Sequence, residues 1–397
     1  MFIIISWLLI IPPVAALLIF SLEALLGAAK LKPKTIQGPM PTTRILIPAH
    51  DEASTIDATL DRLAEVASDT VSLLVVADNC SDETAKLVVQ AGHEVIERVD
   101  PTRRGKGYAL AFGRDHLRKD PPECVIIFDA DCEIDRASIE ALAKVSIAQN
   151  SVVQGRYVFK ADRLASPKVQ ISNFAFWMKN VVRQRGGHRL GAAAVLAGTG
   201  MAFPWRLIER APLATSEIVE DLALGVYLTK IGRPPVYLDQ ALVESVAASE
   251  QATLNQRTRW EVGFVAIARS VGLRALTGGI KDRNRKLLLL GLHLLVPPLA
   301  LLLLSAFAIL VAVGLIAWAT GQWAPLVTIA GALALAATLI LLNWGLGGYR
   351  WLGAASLARI PLYMIWKIPV YLRLVKGEKI GWTRTERAAA SDRGSAE

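Results

Sequence analysis

Residues 125–131 read Val125-Ile126-Ile127-Phe128-Asp129-Ala130-Asp131. Four consecutive apolar residues, the first three β-branched, suit a strand buried on both faces, and the abrupt change to carboxylates marks its end. Strands of that kind belong to sheets covered by helices on both sides. In such sheets ligands bind beyond the carboxyl ends of the strands, which is where Asp129 and Asp131 fall. Carboxylates two residues apart at a strand end can share one divalent cation, or divide between cation and ribose. Mg2+ and Mn2+ take such hard oxygen ligands while bridging to phosphate. Ordinary turns also contain this pattern, so the neighbouring strands must supply the rest of the case.

Working upstream, Arg44–Pro48, Ser72–Ala77 and Glu94–Val99 are further strand candidates. Between the first two, Ile56, Leu60, Leu63 and Val66 recur at helical spacing, with Ser54 as the expected cap. Another helix is expected from near Ser81 to Gly92. The βαβα order implies an α/β domain with a Rossmann-like, mostly parallel sheet. The first strand closes on His50-Asp51-Glu52 and the second on Asp78-Asn79-Cys80-Ser81-Asp82. Asp78 and Asp82 also suit plain turn and cap chemistry. What favours a site is that acidic clusters arrive at one sheet edge from several strands.

Downstream, Glu220-Asp221 opens a helical stretch. Acids there complement the helix dipole; equally, one of them can serve as a general base. Arg103-Arg104-Gly105-Lys106-Gly107 precedes a helix and makes a phosphate cradle from glycine and a helix N-terminus. It lacks the full P-loop pattern, which disfavours a kinase or ATPase. Gln256-Arg257-Thr258-Arg259-Trp260 reads as an arginine fork suited to pyrophosphate beside an aromatic plate suited to a sugar ring, or to a membrane interface.

The chain has 397 residues, of which 53% are hydrophobic, and a formal charge of +9. The apolar excess is concentrated. Phe2 to Ala28 is nearly all apolar, broken by Pro12 and Pro13, and long enough to cross a bilayer core of about 30 Å at about 1.5 Å per residue. Lys30, Lys32 and Lys34 follow it, the reverse of a cleaved signal, so an anchor with a cytoplasmic C-terminal end is expected. The Pro pair leaves open a broken or re-entrant helix. Further spans are expected over Leu287–Ala319 and Ala324–Leu346, with Leu352–Leu374 read as an interfacial helix before a basic cytoplasmic tail. The resulting division is an anchor over residues 1–29, a basic linker over 30–40, and a catalytic domain over 41–275. A second linker over 276–286, a membrane hairpin over 287–346, and an interfacial helix with tail over 347–397 follow. Cys80, Cys124 and Cys132 form neither a disulfide framework nor a zinc pattern. Lys and Arg gather at membrane flanks rather than on one soluble face, which argues against nucleic acid. The two later spans carry only His293 near one end, which argues against transport.

Taken in order, the P-A-x-x-E strand end, Asp78 to Asp82, the D-x-D, Gly198-Thr199-Gly200, Glu220-Asp221 and Q-x-x-R-W resemble the motif set of membrane-bound family 2 glycosyltransferases. That family includes cellulose, chitin and hyaluronan synthases and ceramide glucosyltransferase. The resemblance covers about Pro41 to Ala275 and implies a GT-A catalytic domain flanked by transmembrane helices. It also implies an inverting reaction with a UDP-sugar donor and a Mg2+ or Mn2+ cofactor. By resemblance, Asp78 would contact the base, and Glu52 the nucleoside. Asp129 and Asp131 would serve ribose, diphosphate and metal, with Asp131 the main ligand. Lys106 would approach the donor and Asp221 would be the base. Gln256 and Arg259 would hold the diphosphate. Trp260, Glu220 and the Gly198–Gly200 segment would line the acceptor side. The implied setting is the cytoplasmic face of the inner membrane, with a saccharide or lipid acceptor, membrane lipids and polysaccharide-export partners. A glycolipid synthase and a silent nucleotide-sugar-binding subunit are the alternatives. The few spans and the absence of a cellulose-synthase gating signature weigh against extrusion of a polymer by this chain alone.

Overall fold

The computed structural model describes residues 2–215, 220–245 and 250–375. In chain order the elements begin α1 (Phe2–Gly27), β1 (Thr43–Ala49), α2 (Ile56–Ala64), β2 (Val71–Asp78), α3 (Thr84–Gln90), β3 (Glu94–Arg98), α4 (Lys106–Leu117) and β4 (Cys124–Ile127). Next come β5 (Cys132–Ile134), α5 (Arg136–Gln149), β6 (Val153–Phe159), α6 (Pro167–Trp177), α7 (Gln184–Leu190), β7 (Met201–Pro204), α8 (Trp205–Ile208), α9 (Glu220–Lys230) and β8 (Val236–Ser245). The chain continues as α10 (Glu250–Lys281), α11 (Arg285–Leu295), α12 (Leu299–Thr320), α13 (Ala324–Leu346), α14 (Ala354–Leu357) and α15 (Ile360–Val375).

Two compact units result. Among the described residues, those of 31–160 and 193–253 form the sheet unit, and those of 2–30, 161–192 and 254–375 form the helical unit. Among the described residues of the sheet unit, eight strands lie in the order β3-β2-β1-β4-β7-β6-β8-β5. The first four are mutually parallel. β7 runs antiparallel to both β4 and β6, and β5 antiparallel to β8. The fold is therefore a Rossmann-like, mostly parallel mixed sheet. Leu46, Val76, Val125 and Ile127 pack with Leu110, Phe203 and Leu224 in one buried cluster, as doubly covered strands require.

The expected strands are present within a residue or so at each end. Two helix starts differ. α2 begins at Ile56 after Thr55, not at a Ser54 cap, because Glu52 already organises this turn by accepting the Thr55 and Ile56 amides on its carbonyl. α3 begins at Thr84 rather than near Ser81, because Ser81 is drawn into the opposing loop by Asp51.

In the helical unit, α1, α12 and α13 are long and apolar enough to cross a membrane. α1 runs unbroken through Pro12 and Pro13. The span expected from Leu287 is interrupted. α11 stops at Leu295 and α12 starts at Leu299, since Pro297 and Pro298 cannot continue the amide ladder. Ile10, Val313 and Ile329 meet in a buried cluster between the three apolar helices. Their outward residues stay exposed, Leu8, Leu315 and Val327 each by more than half. That pattern suits a lipid solvent. α6 runs through a π-helical turn, Met178–Arg183, into α7. Arg183 there is buried with Glu23 of α1 and His293 of α11: Glu23 takes Arg183 Nε at 2.6 Å and His293 Nδ1 at 2.7 Å. Glu23 is the carboxylate in the stretch expected to be nearly all apolar, and His293 is its partner. The basic tail expected beyond Val375 lies outside the described residues.

Close helix approach in this unit depends on glycine. A Cβ on Gly186 would fall 2.1 Å from the Glu23 carbonyl oxygen, whereas one on Gly331 meets nothing within 4 Å. Gly186→Ala is therefore expected to destabilise the detergent-solubilised protein by about 1–3 kcal/mol, as overpacking does. Gly331→Ala should be near neutral, and thermal melts of the pair check this.

Candidate active site

The loops after β1 and β2 are laced together. Asp51, in a left-handed conformation at φ 52°, accepts from the Ser81 amide at 2.6 Å and the Ser81 hydroxyl at 3.1 Å through Oδ1. Burial pushes the Asp51 carboxyl up, but the Ser81 hydrogen bonds outweigh it and leave it below its ordinary value. Asp82 returns the contact, accepting from the Ala53 and Thr84 amides at 3.0 Å each. Cys80 lies beside both acids; burial raises its thiol, which stays protonated. Asp51, Cys80 and Asp82 thus form a loop clasp whose carboxylate oxygens accept from backbone amides and from the Ser81 and Thr84 hydroxyls. Glu52 accepts from the Thr55 hydroxyl at 2.8 Å on the same turn.

Asp78 ends β2 only 6% exposed. Arg98 Nη1 donates to its Oδ1 at 2.5 Å, and Asn79 Nδ2 donates to the same oxygen at 2.9 Å. Arg98 also reaches Asp100 and the Arg103 carbonyl. Sequence reading missed Arg98. Its signal is tertiary, since it stands opposite Asp78 only once β2 and β3 pair in register.

The densest charge lies beyond β4. One ligand atom each from Asp129, Asp131 and Cys132 lie within 4.8 Å of one another. The Cys132 thiol is raised well above its ordinary value by burial and by Asp131 and Asp129, so it remains protonated and points its sulfur to Asp131 Oδ1 at 3.5 Å. The available donors are then two carboxylates, a hard set that fits Mg2+ or Mn2+. Behind them Tyr157 is buried, and that burial, with the Asp131 and Asp129 carboxylates nearby, keeps its hydroxyl protonated.

Lys106, the first residue of α4, pairs its Nζ with Asp129 Oδ1 and donates to the Gly198 carbonyl at 2.9 Å. Gly105 before it sits at φ 131°, where glycine is favoured. Gly107 after it permits contact with the chain at Leu213, whose carbonyl would lie 2.3 Å from a Cβ there. Arg103, expected in a phosphate cradle, is tied to Asp100 through Nε at 2.7 Å. A Cβ on Gly198 would face Lys106 Nζ at 3.4 Å and Asp221 Oδ2 at 3.6 Å. Glu220 and Asp221 are the first residues of α9. Burial alone would lower the Lys106 ammonium, but Asp129 and Glu220 outweigh it and raise it. Glu220 is pushed up to about 7 by burial and by Asp221, only partly relieved by Lys106. Thr199, fully buried, accepts the Asp129 amide on its hydroxyl at 3.1 Å. Gly200, at φ 64°, donates its amide to the Ile127 carbonyl at 2.9 Å. The structure therefore brings Lys106, Asp129, Gly198, Thr199, Gly200, Glu220 and Asp221 together beside Asp131.

Gln256, Arg259 and Trp260 lie on α10, in residues assigned to the helical unit. The expected Arg257–Arg259 fork is not one, because residues two apart on a helix do not face the same way. Arg257 is buried, donating to the Ser172 carbonyl at 3.1 Å and Asn173 Oδ1 at 2.8 Å, with its guanidinium over the Phe176 ring. Trp260 packs against Phe176 at 6.0 Å between centroids. A cavity of about 360 Å3 lined by Arg206, Arg210, Tyr227 and Arg233 lies by the carboxyl end of α9, opposite its acidic start. Arginines suit the dipole there.

A mixed sheet of this order carrying carboxylates beyond its parallel strands defines the GT-A class of glycosyltransferase domain. The chain belongs to the glycosyltransferase-like family 2, whose model matches residues 41–263. It is similar in fold to a mannosyltransferase, PcManGT, of Pyrobaculum calidifontis, solved with GDP-Man and Mn2+; the match covers 96% of this chain and 100% of that one, at 18% identity and a TM-score of 0.59. A second similar structure is glucosyl-3-phosphoglycerate synthase of Mycobacterium tuberculosis, solved with Mn2+, UDP-glucose and phosphoglyceric acid, which matches over 57% of this chain and 85% of that one at 17% identity and a TM-score of 0.39. No curated protein matches the sequence.

Glu220 gives the site a pH signature. Its ordinary value is 4.5 and its folded value about 7. Between those values the folded state holds a proton that the unfolded state has lost, so stability falls as pH rises through this window. Glu220→Gln removes that loss. The variant is expected to gain stability on the order of 1–3 kcal/mol over wild type at pH 8 and little at pH 4.5, measured by denaturation at both pH values.

Proposed function

We propose that this chain is an inverting glycosyltransferase that moves a sugar from a nucleoside-diphosphate donor, a UDP-sugar first, to a saccharide or lipid hydroxyl at the cytoplasmic face of the inner membrane. The observation that carries the reading is the meeting of Lys106, Asp129, Glu220 and Asp221 around Gly198, with Asp131 alongside. Asp221 is the general base, within the carboxylate pair that opens α9. Glu220 beside it ionises near neutral pH, so the pair carries its full negative charge only above that range. Lys106 keeps its charge and orients Asp129. Asp131 and Asp129 would hold Mg2+ or Mn2+, which when bound neutralises charge on the leaving diphosphate. Asp78, held by Arg98, and Glu52 serve the nucleoside. Gln256 and Arg259 serve the diphosphate, and Trp260 the acceptor, with Glu220 and the Gly198–Gly200 backbone lining its approach.

Lys30, Lys32 and Lys34 after α1, and Lys281, Arg283, Arg285 and Lys286 before α12, support the cytoplasmic assignment. Three apolar helices in one chain support an acceptor met at the membrane, in envelope glycan or exopolysaccharide synthesis. The GDP-Man complex of the archaeal neighbour makes GDP-sugars the second donor class to try.

The test is nucleotide release by the purified protein in detergent, with Mn2+ or Mg2+, across UDP- and GDP-sugars, with and without lipid extract. Release with one donor is expected, and Asp131→Ala should abolish its metal dependence. Asp221→Asn should lower kcat by about 10²–10⁴-fold while nucleotide binding persists. An Asp221→Asn enzyme that keeps its turnover sinks the base assignment, and no release with any donor sinks the transferase reading. The acid limb of kcat/KM should fall near pH 7 and move to lower pH in Glu220→Gln.

A further inference from the structure

Gln154 lies on β6, 1% exposed, and no motif in the sequence singled it out. Its amide is fully committed. Nε2 donates to the Thr199 carbonyl and to the Gly155 carbonyl, each at 3.0 Å. Oε1 accepts from the Ala197 amide at 2.9 Å. The side chain therefore grips the backbone on both sides of Gly198. That short segment does two other jobs. The Gly198 carbonyl receives Lys106 Nζ, and the Thr199 hydroxyl receives the Asp129 amide. Gly198 and Gly200 both sit at positive φ, 82° and 64°, so the segment has little local preference to hold it in place. It needs an external brace, and an uncharged amide is the side chain that can donate to one peptide and accept from another.

We infer that Gln154 is a positioning residue: by fixing the 197–199 backbone it sets where the Lys106 ammonium and the Asp129 carboxylate stand in the site. The inference rests on the reading of those two groups as donor-side machinery, but its physical core is independent of any ligand. Replacing Gln154 with Met removes three hydrogen bonds and leaves the buried Thr199 carbonyl and the part-buried Ala197 amide without their Gln154 partner. Replacing it with Glu keeps an acceptor for Ala197 but sets a carboxylate against the Thr199 and Gly155 carbonyls.

The experiment compares wild type, Gln154→Met and Gln154→Glu in detergent. Acetylation of Lys106 by an amine-reactive acetyl ester is followed by mass spectrometry, with exposed Lys86 as internal reference, alongside kcat and donor KM. Lys106 held by Asp129 and Gly198 should react slowly in wild type. In either variant that folds, its rate relative to Lys86 should rise at least roughly fivefold, the change one net hydrogen bond supports. Over the same comparison kcat should fall on the order of ten- to a hundredfold with donor KM little changed, as for misplaced catalytic groups. Unchanged Lys106 reactivity in a folded variant overturns the inference. So does raised reactivity with wild-type kcat, which would leave Gln154 a purely structural brace. If wild type turns over no donor while Lys106 reactivity still rises in the variants, the positioning of Lys106 stands and the transferase reading falls.

Discussion

The site is organised around one cation. Lys106 Nζ faces Asp129, Glu220 and Asp221 across a space that Gly198 leaves open. Three carboxylates so close cannot all ionise freely in a partly desolvated place, and the strain shows on Glu220, which is pushed up to about 7. Much of the local structure can be read as what this meeting requires. Gly105 and Gly107 flank the lysine so that α4 can start tight against the loop at Leu213. Gly198 lacks a Cβ that would stand between ammonium and carboxylate. Thr199 fixes the Asp129 amide from below, and Cys132 and Tyr157 remain protonated behind the acids, adding no further charge.

The helical unit solves a different problem, the burial of charge among apolar helices. Glu23, Arg183 and His293 satisfy one another on three separate segments. Removing one member of such a group strands the others, so the set locks the segments into one arrangement. A second pair, buried Lys367 of α15 with half-buried Glu261 of α10, is completed by the Tyr371 hydroxyl on the same carboxylate. Both groups join elements distant in sequence, and both use long polar side chains inside a unit that is otherwise strongly apolar. Arg257 belongs to the same pattern. Its sequence position suggested ligand chemistry, while its guanidinium is turned to Ser172, Asn173 and Phe176.

Much of the candidate site was legible from residues alone. Val125 to Phe128 had to be a covered strand, so Asp129 and Asp131 had to lie at its carboxyl edge. The same logic placed the clusters after β1 and β2 and the acids at the start of α9. Helix starts were read less well, because Ser54 and Ser81 are good caps by type but Glu52 and Asp51 claim the local hydrogen bonds. The break at Pro297-Pro298 was visible in the letters and lost beneath a long apolar average. Glu23 was hidden in the same way, one carboxylate in a stretch whose mean character is greasy.

The sequence by itself determined the class of fold, the existence of apolar helices at both ends, and the set of chemical groups offered at the sheet edge. These follow from period, composition and chain order, which are local properties. Only the tertiary structure decided which groups meet. Arg98 faces Asp78 because β2 and β3 pair in one register. Gln154 reaches the Gly198 segment because β6 and β7 run side by side in the sheet. Glu220 joins Lys106 and Asp129 from more than ninety residues farther along the chain. Charge coupling and hydrogen-bond geometry depend on distance in space, and a one-dimensional pattern carries that distance only through the fold.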